Sequence, residues 1–195
     1  MNLIRTRQLG FTLVELLTVI AIVGILTAIL IPTTSSARIS ARRAKTKVVF
    51  SQWASAMELF RQEYGFYPAI DGGTGKIDSG LFAAALTGRS LNGSSADTNQ
   101  LLGNSRRISF YAITESELNE TRTALVDAFG NTEIAVLYDS NGDGLITSAD
   151  GAANAVNGFA PSLSDLDLSA GIRARVIFYS AGNGANAGDL VFSWK

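Results

Sequence analysis

The apolar positions of this chain change their period along its length. Residues 11–31 read FTLVELLTVIAIVGILTAILI, with Glu15 as the single charge. As helix at ~1.5 Å per residue the run spans about 32 Å, which matches a hydrocarbon core of ~30 Å. Between 33 and 64 there is neither Gly nor Pro. There Val49, Trp53, Ala56, Phe60 and Tyr64 recur at spacings of four, three, four and four, one stripe of an amphipathic helix. Gly65 stands where a C′ glycine belongs, and Pro68 prevents continuation. The pattern predicts nearly continuous helix over 11–64, about 80 Å long and bent at Pro32.

Residues 69–105 are rich in Gly, Ser, Asn and Asp and read as connecting loops. They hold one short helix over 81–87, with Ser79 as N-cap and Gly88 after its last turn. Beyond 105 the period is two. Ile108, Phe110 and Ala112 alternate, as do Ile134, Val136 and Tyr138, and Ile172, Ala174, Val176 and Phe178, while 190–194 is a last short strand. Such patterning predicts an antiparallel sheet with one buried face, covered by the aromatic stripe of the long helix. The fold class is α+β, organised as a short basic segment over 1–10, a membrane-length apolar helix over 11–32, and a head over 33–195. The head comprises the amphipathic helix 33–64, the variable loops 69–105 and the sheet region 106–195.

The N-terminal run has two readings. A secretory signal peptide carries an apolar region of ~7–15 residues followed by a small-x-small cleavage site. This run is longer and is followed by Pro32 and ThrThrSerSer, so a single-pass anchor fits better. Glu15 then stands inside a spanning helix, where an acid costs up to ~3 kcal/mol at the bilayer centre and less near its edge. No base lies within the run, so its expected partner is on another chain. Counting basic residues, Arg5 and Arg7 against Arg38, Arg42, Arg43, Lys45 and Lys47, favours the N-terminus outside.

Composition removes whole classes of chemistry. With no His and no Cys, the chain hosts no Ser–His–Asp or Cys–His nucleophile, no thiolate metal site and no disulfide. A net charge of −1 supplies no field to recruit nucleic acid, and no spacing of acids with Lys or Tyr nominates an active site, so an enzyme is not expected. GlyGlyThrGlyLys at 72–76 lacks the spacing and the Ser/Thr of a phosphate loop.

One string points to a hard metal. Residues 139–150, DSNGDGLITSAD, match D-x-[DN]-x-[DN]-G over a twelve-residue loop. Asp139, Asn141 and Asp143 offer side-chain oxygens, Leu145 a backbone carbonyl, Thr147 a hydroxyl and Asp150 a carboxylate at position 12, where the usual residue is the longer Glu. Gly144 makes the sharp turn. The expected cofactor is calcium, held outside a helix–loop–helix because a strand precedes the loop. The alternative is a polar hairpin turn, for which AsnGlyAspGly is good chemistry.

The string Gly10-Phe11-Thr12-Leu13-Val14-Glu15, between a short basic leader and an apolar run, resembles the signature of type IV prepilins, shared by pilins and type II secretion pseudopilins. The resemblance implies cleavage by a prepilin peptidase between Gly10 and Phe11, methylation of the new Phe11 amine, and a role for Glu15 in assembly through the Phe11 amine of the next subunit. It places the leader in the cytoplasm, against the charge count, and the head in the periplasm, anchored in a bacterial inner membrane. Gly24 and Pro32 fall where this family carries helix-weakening residues. The string Asp127-Ala128-Phe129-Gly130-Asn131 resembles the Asp-x-Trp-Gly-Asn motif of major pseudopilins, and 179–194 resembles their C-terminal end. That likeness implies a second candidate calcium site at Ser180, Asn183 and Asp189. The expected role is a structural subunit of a homo-oligomeric filament, extracted by an inner-membrane assembly platform. A type II secretion pseudopilus for protein export leads. The alternatives are a type IV pilus for adhesion, motility or DNA uptake, and a membrane-tethered calcium-dependent binding domain.

Overall fold

The computed structural model describes residues 10–150, 168–184 and 190–194, with the backbone alone for 29–34 and for 148. The leader residues 1–9 and Asp189 lie outside the described residues. The chain divides into two compact units, Met1–Ser40 and Ala41–Lys195. Helix α1 is Leu13–Tyr64, assigned as helix through Pro32. It ends as the sequence requires: Gly65 adopts φ 84°, and its N–H donates to the Arg61 carbonyl at 2.7 Å.

Within the second unit, α1 buries Thr46, Phe50, Trp53, Ala56, Met57 and Phe60. The buried stripe is therefore centred slightly away from the expected one, and Val49 and Tyr64 are half-buried at its margins. Trp53 is the hub. Its ring lies 5.4 Å from Phe50, 4.8 Å from Phe82 and 5.6 Å from Phe178, spacings at which aromatic pairs attract beyond simple burial.

Helix α2 is Ser79–Thr87. Its N-cap is Asp78, whose carboxylate accepts from the N–H groups of Gly80 and Leu81. The expected cap, Ser79, has its hydroxyl oxygen occupied by the Leu125 N–H at 2.9 Å. Gly88 closes the helix at φ 71° as expected.

The sheet has three antiparallel strands in the order β1 (Ile134–Tyr138), β2 (Val176–Ser180) and β3 (Val191–Phe192). Val136 faces Phe178, and Tyr179 faces Phe192. Beyond β1, the Ile77 N–H donates to the Ile134 carbonyl and the Val136 N–H to the Gly75 carbonyl, so the 75–77 segment covers that edge.

Two expectations about the sheet change. Both its faces are buried: Ile134, Val136, Val176 and Phe178 pack with α1, while Ala135, Leu137, Ile177 and Tyr179 pack with Ile146, Leu168 and Ile172. The 108–112 alternation makes no strand. The N–H groups of Phe110 and Tyr111 instead both donate to the Leu86 carbonyl at the end of α2, and the Phe110 ring lies 5.5 Å from that of Phe60. Ile172 likewise precedes the ladder, making a single bridge with Ile146.

Candidate functional site

The first candidate region is the start of α1. Gly10 and Phe11 are exposed, Phe11 at 80%. Leu16, Leu17, Val19, Ile20, Ile22, Val23, Ile25 and Leu26 are all exposed, so the helix is apolar on every side, the pattern of a segment meant for a non-aqueous environment. Among the described residues no helix is long and apolar enough to cross a membrane. The apolar run continues into 29–31, whose side chains lie outside the described set. Glu15 has a partner that sequence reasoning had missed. The N–H and hydroxyl of Thr12 donate to Glu15 Oε2 at 2.9 and 2.8 Å, and the Glu15 N–H donates to Thr12 Oγ1 at 3.2 Å. This reciprocal capping box was legible as Thr-x-x-Glu. One carboxylate oxygen is thus held within the chain.

The second region is the 139–150 loop. Asp139 and Asp150, at its two ends, are both buried. Asp139 accepts from the N–H groups of Gly142 at 2.6 Å and Gly144 at 2.9 Å. Asn141 accepts from the Asp143 N–H, and Asp143 accepts from the Leu145 N–H at 2.7 Å. Asp150 receives the N–H and hydroxyl of Ser140 on one oxygen and those of Thr147 on the other. Burial raises the Asp150 carboxyl pKa, but the Thr147 and Ser140 hydrogen bonds outweigh it and hold the group below its usual value. Gly142 and Gly144 take φ 78° and 81°, conformations that let the loop fold back on its own carboxylates. The donors gathered here are all oxygens, as a hard cation needs. Their inward faces are filled by loop N–H and O–H groups, and among the described residues no three His, Cys, Asp or Glu stand together as a cluster able to hold a metal.

The Asp127–Asn131 string forms a third feature. Asp127 is buried, with one oxygen accepting from the N–H groups of Phe129 and Asn131 and the other from the Ser180 hydroxyl at 2.8 Å. Burial raises its pKa against the lowering effect of hydrogen bonds from Asn131, Ser180, Phe129 and Gly130. The Ala128 N–H donates to Thr46 Oγ1, and the Arg42 guanidinium lies 5.9 Å from the Phe129 ring centre. The string therefore ties α1 to β2. Ser180, expected as a calcium ligand, is fully buried with its hydroxyl committed to Asp127. Asn183 lines an open groove of about 720 Å³ with Asn131 and Gly130.

Two further carboxylates escaped sequence reasoning. Glu117 is 2% exposed and accepts from Trp53 Nε1 at 2.9 Å, the Tyr111 hydroxyl at 2.7 Å, and the hydroxyl and N–H of Thr114. Its signal was again Thr-x-x-Glu, at 114–117. Asp71 accepts from the Gly75 N–H and the Tyr138 hydroxyl, so the glycine loop at 72–75 wraps a carboxylate of its own chain rather than a phosphate.

In comparison with known families, residues 5–31 match the prokaryotic N-terminal methylation motif, the prepilin-type motif of type IV pilins and pseudopilins. The match covers the last six residues of the leader, the Gly10–Phe11 junction, Glu15 and the apolar run. Comparisons with curated proteins and with solved structures give no match. The motif supports a pilin-like subunit, and what it implies is membrane anchoring, processing by a prepilin peptidase and pilus-type assembly.

Proposed function

We propose that this chain is the structural subunit of a type II secretion pseudopilus, anchored by residues 11–32 in a bacterial inner membrane with its head in the periplasm. The observation that carries the reading is the placement of the Gly10–Phe11 junction ahead of the apolar run, with Glu15 one helical turn beyond it. Cleavage there removes the leader and leaves the anchor in place. It also creates a cationic amine at Phe11, and Glu15 Oε2 is held by Thr12, while among the described residues no hydrogen bond reaches the second oxygen, which a partner would take. An amine from a neighbouring subunit, paired with that oxygen in surroundings of low dielectric, would set the axial register of a filament. Packing of the apolar helices against each other would supply the remaining cohesion. The Asp127–Asn131 tether and the absence of cysteine favour the secretion subtype over an adhesive pilus.

The second element of the proposal is calcium. Asp139, Asn141, Asp143, Thr147, Asp150 and the Leu145 carbonyl would hold the ion. In a chain without disulfides, the ion's chemistry is that of an electrostatic staple across this loop.

Intact-mass measurement of protein extracted from membranes tests the processing on which the reading stands. The expected species lacks residues 1–10 and carries one additional methyl group. A cut near Ala37 that releases a soluble product would overturn the pilin-like reading.

A further inference from the structure

Between Glu15 and Glu58 the chain carries no acid, and its five basic residues there, Arg38, Arg42, Arg43, Lys45 and Lys47, fall within ten positions. All five lie on α1. Arg38, Arg42, Lys45 and Lys47 are exposed, and Arg43 is half-buried. Among the described residues the ion pairs of the head join Lys76 to Glu133, Arg106 to Glu63 and Arg122 to Glu115, and none takes up the four exposed cations. The Arg42 guanidinium meets the Phe129 ring, a contact that neutralises no charge. A basic row on a helix is ordinarily a solvated face, but this one begins seven positions past Ile31, where the match to the methylation motif ends. In the orientation proposed above it also stands on the translocated side, where the positive-inside rule disfavours Lys and Arg.

We infer that the basic row over 38–47 binds the anionic headgroups of the membrane that holds the subunit, with Arg38 reaching the headgroup layer and Arg42, Lys45 and Lys47 in the field above it. The inference rests on the membrane anchoring proposed above. At ~1.5 Å per helical residue, Arg38 follows the end of the apolar run by about 10 Å and Lys47 by about 24 Å. The polar layer of a bilayer is about 5–8 Å deep on each side. Long basic side chains reach back toward it while their stems lie along the helix. Screening leaves the field of an anionic surface effective for a further ~8 Å, so the contribution is largest at Arg38 and smallest at Lys47. Close to such a surface each Lys or Arg is worth about fivefold in partitioning. An acidic protein segment would satisfy the same charges, but the start of the row is within side-chain reach of phosphates that every anchored subunit meets, assembled or not. Such contacts fix the depth of the unassembled subunit and must be broken when it enters a filament.

The chain has no cysteine, so Ala44→Cys, at an exposed position inside the row, gives the full chain a unique place for a fluorophore. The labelled protein is reconstituted into vesicles of phosphatidylcholine alone or with about 30% phosphatidylglycerol, and quenching by acrylamide in the aqueous phase is measured. Phosphatidylglycerol should lower the quenching about twofold, and salt at about 1 M should restore it, because the screening length falls to ~3 Å. A label at exposed Gln62→Cys, about 27 Å further along α1, should respond to neither. In the Ala44-labelled chain Arg38→Gln should remove most of the protection and Lys47→Gln should leave most of it; equal losses would overturn the placement of Arg38 nearest the headgroups. The lipid and salt comparisons need no variant of the basic residues. Protein that floats with both kinds of vesicle yet is quenched equally in them would overturn the headgroup inference and leave the membrane reading standing. Protection that appears in phosphatidylcholine and grows with the protein-to-lipid ratio would overturn it too, assigning the row to acids of another copy. Protein that floats with neither would remove the membrane reading and this inference with it.

Discussion

Glu117 is a buried carboxylate with four donors, all of them neutral, and its neighbours depend on it as much as it depends on them. Burial first, and then the Glu117 contact, push the Tyr111 phenol well above its usual range, so it remains a donor at every physiological pH. Glu117→Ala leaves the Trp53 indole N–H buried without an acceptor, and should cost about 3 kcal/mol in denaturant unfolding followed by tryptophan emission. Glu117→Gln, which keeps one acceptor oxygen, should cost less; equal losses would mean that volume rather than hydrogen bonding matters here. Asp127 offers a pH test. Its folded pKa lies above the unfolded value of 3.8, so its contribution to stability is present below that value and is lost as pH rises through the folded pKa. Relative to Asp127→Asn, which does not titrate, the wild type should lose stability between about pH 4 and the folded pKa and run parallel above it. A difference that stays constant from pH 4 to pH 7 would show that the hydrogen bonds from Phe129, Asn131 and Ser180 cancel the burial.

At the scale of elements, two helix ends use glycine for different reasons. Gly65 and Gly88 both take left-handed φ, which costs an L-residue about 1–2 kcal/mol. Around Gly65 there is open space, whereas a Cβ on Gly88 would stand 2.7 Å from the Arg107 carbonyl oxygen. Gly65→Ala should therefore cost about 1 kcal/mol, and Gly88→Ala at least about 1 kcal/mol more, since the backbone at 107 cannot yield as a flexible side chain would. Thermal unfolding of the two variants checks the order, and a reversed order would remove the Gly88–Arg107 contact from the account. The same contact explains why α2 ends where it does, with the 107–111 segment passing beneath its last turn. That segment is held by the Leu86 carbonyl and by Asn104, whose amide group donates to the carbonyls of Ala85 and Ile108.

For the whole molecule, the decisive question is whether Glu15 directs assembly. Thr12 satisfies one of its oxygens within the chain, so the isolated subunit tolerates the acid better than an unpaired carboxylate in hydrocarbon would. What remains for a neighbour is the charge itself. Glu15→Ala should still insert and be cleaved after Gly10, yet fall at least about tenfold in filament yield, because an unmatched Phe11 amine in low dielectric costs several kcal/mol. Glu15→Asp should be intermediate. Electron microscopy of assemblies formed with the variant as the sole subunit gives the measurement, and wild-type yield from Glu15→Ala would leave the acid no assembly role.

Sequence alone determined the features whose physics is local. The apolar run, the Gly10–Phe11 junction, the end of α1 at Gly65, the core of β1 and the turn chemistry of 139–150 each rest on neighbours within a few positions. The two Thr-x-x-Glu boxes were equally legible, though their second roles were not. Other features were decided only in three dimensions. Asp78 rather than Ser79 caps α2 because Leu125, 46 positions along the chain from Ser79, claims the Ser79 hydroxyl. The 108–112 alternation forms no strand because the end of α2, and not another strand, meets its amides. Glu117 became a buried hub because the fold brought Trp53 to it across 64 positions. The sheet is covered on both faces because Ile146 and Ile172 meet beyond it, and no periodicity within either segment reports that meeting. Local patterns specify which hydrogen-bonding and apolar groups a segment offers. Which distant segment accepts them depends on how the chain closes its loops, and period and spacing carry no record of that.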